Sequence, residues 1–189
     1  MRISAIVSGT GSLTKAGVGL LELAAANTYS GKTIIAGGTL GIDGDLSMGA
    51  LPGAFQADNV TIDNGGTLKV AIVNGSSMHA NRGITLGSST QNVVKVSGNR
   101  TFTINGVISG VGSLCFGDTT AWAADGGGGG RIHLYGANTH TGDTSIVYAG
   151  IKDPGIVLQN TLALQNSTLD YNSANMPNVT AAYQLIFFG

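Results

Sequence analysis

The sequence predicts an all-β solenoid of parallel strands, and three observations lead there. The first is an internal repeat. Ser8-Gly-Thr-Gly-Ser-Leu13 returns as Ser109-Gly-Val-Gly-Ser-Leu114, Ala26-Asn-Thr-Tyr-Ser-Gly-Lys-Thr33 returns as Ala137-Asn-Thr-His-Thr-Gly-Asp-Thr144, and Thr67-Leu68 returns as Thr168-Leu169. The first and third pairs share one separation. The second exceeds it by about ten residues, so the later copy carries an insertion that is afterwards lost again. The second observation is a series of short runs with period-2 alternation. The third is composition: Gly is 31 of 189 residues, more than twice the ordinary ~7%, and there is one glutamate. Helices avoid Gly and favour Glu, so a helical or mixed α/β protein is excluded.

In chain order, the stretch from Gly9 to Ile42 is the most complete copy of the repeat. Val60-Thr-Ile62 then runs into the turn Asp63-Asn-Gly-Gly66. Thr67-Leu-Lys-Val-Ala-Ile72 follows, with Leu68, Val70 and Ile72 on one face and Lys69 on the other. Asn74-Gly75 is another turn signal. Ile84-Thr-Leu86, Val93-Val-Lys-Val96 and Arg100-Thr-Phe-Thr-Ile104 continue the alternation. Turns at this spacing suit any all-β fold. Asn-Gly turns alone would suggest hairpins; the internal repeat selects a solenoid, in which each coil buries its apolar face on the next. At about 20 to 25 residues per coil the chain would make about eight coils. Residues 1–189 are therefore expected to be one solenoid segment, with two diverged repeats near 8–70 and 109–171. Equivalent positions of the two copies, Asn27 with Asn138 and Thr33 with Thr144, are expected on the same part of a coil. Both threonines should open a strand, and the asparagines should sit in matching turns, since Asn tolerates left-handed backbone angles and can satisfy nearby backbone groups through its amide.

The alternation also predicts the core. Leu13, Leu21, Leu23, Ile35, Leu40, Ile62, Leu68, Val70, Ile84, Leu86, Val94, Val96, Phe102, Ile104, Leu114, Ile146, Leu162, Leu164 and Leu169 should point inward, with Glu22, Lys69, Lys95 and Asp170 exposed. Unpaired β edges are expected near Ile3–Val7 and Tyr183–Phe188. The Gly126–Gly130 run, preceded by Trp122-Ala-Ala-Asp125, coincides with the inserted residues and is expected to leave the coil as a loop.

Formal net charge is −1 with no basic cluster, which removes the electrostatic footprint of nucleic-acid binding. The single cysteine, Cys115, allows no internal disulfide and reads as a small buried hydrophobe. No uncharged apolar run approaches the length of a membrane-spanning helix. Because the chain opens in the middle of a repeat, it reads as a piece of a longer protein.

Gly9, Gly11, Leu13, Thr14, Lys15, Gly17 and Gly19, then Leu21 and Leu23, then Asn27, Tyr29, Gly31 and Thr33, then Gly38, Thr39 and Leu40 follow a known order. The stretch resembles the autotransporter-associated β-strand repeat, also called the passenger-associated transport repeat. The later copy departs from it: Cys115-Phe116 replaces Thr-Lys, and His140 stands where Tyr is usual. The resemblance implies a right-handed parallel β-solenoid, a single-stranded β-helix, from a large secreted or surface-anchored bacterial protein on the exterior of the outer membrane. It implies no enzymatic activity and no cofactor.

Several motifs look chemical, and each has a plainer explanation. Gly31-Lys32-Thr33 closes a formal phosphate-loop pattern, but Ile34-Ile-Ala-Gly-Gly-Thr-Leu40 after it is strand and turn, not helix, and the later copy has Asp143 in place of the lysine. His133, His140 and Asp143 are residue types used by bases and metal sites, yet no nucleophile is marked and the spacing is not a zinc pattern. Asp43-Gly-Asp45 resembles part of a stacked calcium repeat but occurs once. Asp58 and Asp63 could form a carboxylate pair, though turn chemistry accounts for them. The expected function is a structural stalk or spacer that supports secretion and display, with no catalytic, cofactor or metal residues. Its partners would be neighbouring coils of the parent protein; no nucleic acid partner and no membrane insertion of this segment are expected. The alternative is an adhesin-type module that contacts a glycan or host surface through a loop carrying Trp122, Asp125 and Arg131.

Overall fold

The computed structural model describes residues 1–70, 76–89, 91–97, 100–118, 131–148, 155–170 and 186–187. The Asn74-Gly75 turn, Trp122, Asp125, the Gly126–Gly130 run and Tyr183–Leu185 lie outside the described residues.

The chain is all-β and winds as a parallel β-solenoid. A full coil shows the plan. β6 (Gln56–Ile62) lies on a first side, β7 (Thr67–Val70) on a second and β8 (Ser76–Met78) on a third. The first side stacks β2 (Leu13–Ala16), β4 (Thr33–Ala36), β6, β9 (Arg82–Leu86) and β12 (Ile108–Gly110). The second stacks eight strands: β1 (Arg2–Ile3), β3 (Leu20–Leu23), β5 (Thr39–Ile42), β7, β10 (Asn92–Val96), β13 (Leu114–Asp118), β15 (Thr144–Tyr148) and β17 (Leu169–Asp170). The third stacks β8, β11 (Thr101–Ile104), β14 (Arg131–Leu134), β16 (Gly155–Leu158) and β18 (Ile186–Phe187). Every pairing among the described strands is parallel, and none joins neighbours in sequence. Among the described strands no two are joined as a hairpin, despite the Asn64-Gly65 signal. Asn64 in the turn after β6 does adopt a left-handed angle, φ 52.

Register places like residues over like. Leu40, Leu68, Val94, Phe116 and Ile146 form one interior column across the second side. Phe102, Ile132 and Ile156 form another on the third. Because side chains alternate with period 2, a column that begins apolar remains inside for as long as register holds. Leu68 is fully buried, and truncating it to Ala leaves a cavity flanked by Leu40 below and Val94 above. A Leu68→Ala variant is expected to lose about 2 to 5 kcal/mol of stability, whereas Lys69→Ala, which opens no interior cavity, should cost clearly less; urea titration of the two variants side by side checks the difference.

Most of the expected core is buried. Leu13, Leu21, Val96, Leu164 and Leu169 are partly buried and pack against it. Leu162 is a correction: it is 47% exposed, and Ala163 beside it is buried. Residues 161–166 are turn, so the alternation does not extend through them. Glu22, Lys69 and Lys95 are half-buried where full exposure was expected, and Asp170 is exposed. In register, the three form an outer column with Arg2 and Gly41, and the Arg2 guanidinium lies 3.7 Å from Glu22 and 3.3 Å from Asp43. Long side chains lying along a ladder cover one another's stems. Cys115 is buried, as expected of a small hydrophobe.

Candidate functional site

Two clasps of buried polar groups join one coil to the next. In the earlier one, Asn27 is buried and bridges three levels. Its Oδ1 accepts the Val7 N–H at 2.8 Å, 20 residues back, and its Nδ2 donates to the Ser47 carbonyl at 2.7 Å, 20 residues on. Two residues later Tyr29 turns inward and its hydroxyl meets Thr33 Oγ1 at 2.7 Å. Thr33 Oγ1 in turn donates to the Met48 carbonyl at 3.1 Å. Burial pushes the Tyr29 phenol above its ordinary pKa, partly offset by the Thr33 bond and the Arg82 charge, so it stays neutral. Backbone bonds Thr28 N–H to Val7 O and Ser30 N–H to Gly9 O, both 2.9 Å, complete the contact.

The later clasp repeats this arrangement, except that Thr144 meets the Ser167 hydroxyl where Thr33 meets a carbonyl. Asn138 Oδ1 accepts the Ile108 N–H at 2.8 Å, and its Nδ2 donates to the Ala163 carbonyl at 2.9 Å. His140 takes the place of Tyr29, with Nε2 2.8 Å from Thr144 Oγ1. Thr139 N–H to Ile108 O and Thr141 N–H to Gly110 O match the earlier backbone pair. Neither asparagine has a positive φ, so it is the expected bonding of the amide to backbone groups, not a left-handed angle, that fixes their place in the motif. Thr33 and Thr144 do open strands, β4 and β15.

The two clasps do not occupy the same part of a coil. The earlier one is flanked by β3 on the second side and β4 on the first; the later one by β14 on the third side and β15 on the second. The motif has moved one side further round the solenoid. The clasp bonds only to the coils above and below, so its geometry is complete on any side. Coil length changes between the copies: the bridged N–H lies 20 residues before Asn27 but 30 before Asn138.

A third polar element was not anticipated. Arg82 is fully buried on the inward face of β9, the face of Ile84 and Leu86. Its Nε donates to Asp45 Oδ1 at 2.9 Å, and its two terminal nitrogens donate to the carbonyls of Met48 at 3.0 Å, Gly49 at 3.0 Å and Ala50 at 3.4 Å, and to Asn59 Oδ1. A bulge in β6 makes the last contact available. Register shifts between Gln56 and Val60, so consecutive Asn59 and Val60 are both buried. Lys15 is likewise buried at an inward position, over Ile35 in register, and its ammonium donates to the carbonyls of Ala16, Gly17 and Gly37 at 2.6 to 3.1 Å. Both charges were legible in parity: Arg82 is in phase with Ile84 and Leu86, and Lys15 with Leu13.

The residues with catalytic or ligand character are dispersed. Lys32 pairs with Asp58 on the surface. Asp63 accepts the Asn64 N–H at 2.7 Å in a turn. Asp43 and Asp45 are engaged by Arg2 and Arg82, not by a shared cation site. His140 is buried in the clasp, Asp143 is exposed, and His133 is half-buried on β14 on another side. Burial, and after it the Arg131 charge, lowers the His133 pKa. Arg131 itself is exposed at the start of β14, between Thr101 and Gly155 in register. Among the described residues no three His, Cys, Asp or Glu gather to hold a metal.

Stacked parallel coils, clasped through side-chain amides and hydroxyls, define a repeat-built scaffold of the solenoid class. The profile of the Passenger-associated-transport-repeat family matches residues 13–42 and 127–151, so the chain carries that repeat twice. It is similar to the "Adhesin BmaC autotransporter" of Brucella suis biovar 1 (strain 1330), 39% identical over 84 residues, which is 44% of this chain and 2% of that protein. It is also similar to an "Extracellular serine protease" of Serratia marcescens, 45% identical over 62 residues, 33% of this chain and 5% of that protein. The chain thus corresponds to a small part of the length of either relative. No solved structure matches it. The segment belongs outside the bacterial cell, secreted or on the cell surface.

Proposed function

We propose that this passenger segment is a non-enzymatic stalk that supports secretion and holds other regions of its parent protein away from the cell. The observation that supports this is the continuous eight-strand second side, in which every strand between β1 and β17 is paired with those of the coils above and below. Each coil buries its apolar columns on the last, so folding outside the cell can advance coil by coil. Each step then opposes backward movement of a threaded chain. Neighbouring coils of the parent protein are the partners this requires.

The test places the segment within an autotransporter passenger behind an N-terminal epitope. Deleting the segment should lower both the amount of epitope displayed and its accessibility to large antibodies. Unchanged display and reach after deletion would overturn the stalk reading. The similarity to a relative named an adhesin supports a second reading, a binding module for a glycan or host surface. Binding of the purified segment to glycans or host cells that depends on Trp122 or Arg131 would favour it.

A further inference from the structure

The two clasps differ in one respect that matters to acid. In the earlier one the aromatic group is Tyr29; in the later one it is His140, 1% exposed. Hydrogen bonds assign its tautomer. Ser167 Oγ donates to the Gly142 carbonyl at 2.6 Å, so the 2.7 Å contact between Ser167 and Thr144 uses the Thr144 proton. The Thr144 oxygen must then accept from His140, which places the ring proton on Nε2. Nδ1 is left as the bare lone pair, buried and with no hydrogen-bond partner. Acid would add its proton there. The Ile108 carbonyl nearby already accepts the N–H groups of Thr139 at 2.8 Å and His140 at 3.3 Å.

We propose that His140 makes the later clasp an acid-released latch: protonating its ring opens the contact between residues 108–114 and 138–144 while the Tyr29 clasp stays shut. This inference is independent of the stalk reading. A charged imidazolium with an unpaired N–H in a dry corner is costly, whereas Tyr29 takes up no proton in acid. Among the described residues no charge offsets that cost. On its own segment Asp143 is exposed. β12 has no titratable group, β13 has buried Cys115 and, at its far end, Asp118, β15 has Tyr148 at its far end, and residues 163–169 have none. Burial first, offset in part by the Ile108 carbonyl, lowers the His140 pKa. A depressed folded value means stability that is complete above the unfolded pKa, near 6.5, and is lost as pH falls through the folded one.

The experiment is hydrogen exchange followed by mass spectrometry on the full chain, at about pH 7.5 and about pH 5, corrected for intrinsic exchange. Protection in peptides from 108–114 and 138–146 should fall by up to about tenfold per pH unit once His140 titrates, while peptides from 7–13 and 27–35 hold theirs. His140→Tyr should abolish the difference, and Tyr29→His should transfer it to the earlier clasp. His140→Gln, which keeps an N–H donor without a titratable ring, serves if the tyrosine does not fit. His133→Gln should leave the response in place. Equal acid loss in both clasps, or a response that survives both His140 substitutions, overturns the proposal.

Discussion

Replacing Arg82 with methionine is expected to open the middle of the solenoid, at a cost of about 3 to 5 kcal/mol. Methionine fills the space of the stem but donates nothing. Five acceptors would lose the guanidinium together, the Asp45 carboxylate, the Asn59 amide oxygen and the carbonyls of Met48, Gly49 and Ala50, and of these the Met48 carbonyl keeps the Thr33 hydroxyl. The carboxylate is the most expensive to strand, since it is nearly buried, with 13% of its side chain exposed. Adding Asp45→Asn should recover part of the loss, but the Gly49 and Ala50 carbonyls still lack the guanidinium, so recovery should stay well short of complete. Arg82→Lys should also fail, because an ammonium has three donors and no planar fork to reach both the acid and the 48–50 carbonyls. Urea unfolding, with hydrogen exchange read at residues 45–50, distinguishes a local opening from a uniform loss.

The second large effect is expected at two glycines that carry no unusual backbone angle. A methyl group at Gly31 would lie 2.3 Å from the Gly11 carbonyl oxygen, and one at Gly142 would lie 2.4 Å from the Gly112 carbonyl group. Both obstacles are backbone of the coil below, which cannot rotate away. The coils would have to part, stretching the bonds from Leu13 N–H to Lys32 O and from Leu114 N–H to Asp143 O, at 2.9 and 2.8 Å. Gly31→Ala and Gly142→Ala are each expected to cost about 3 kcal/mol, combining overpacking with weakened ladder bonds. Gly53→Ala, where a methyl meets nothing within 4 Å, should stay within about 0.5 kcal/mol of the parent in the same titration. Similar losses at Gly31 and Gly142 would show that the motif glycine has the same task on two sides of the solenoid.

The lesson from Asn27 and Asn138 concerns what a repeat specifies. Their recurrence with Gly and Thr at fixed spacing was visible at once, and so was the strand after each. Their task was not. A turn asparagine and a three-level bridge look alike in one dimension, because the partners at Val7, Ser47, Ile108 and Ala163 are a whole coil away. The same distance hid Arg82. Its parity with Ile84 and Leu86 marked an inward charge, but the acceptors that make that position tolerable come from the 45–50 turn and from a bulge that alternation does not foresee.

From the sequence by itself came the solenoid class, the parallel stacking and nearly all of the interior columns. Period-2 alternation, glycine-rich turns and a repeated motif are local properties, and one face of each strand must be buried wherever the coil lies. The tertiary structure alone decided which side of the coil each copy of the motif occupies. Rotational phase accumulates from the lengths of all the intervening turns, and each turn is selected by fit to the coil beneath it. That is also why the motif could move by one side between its two copies and still close the same bonds.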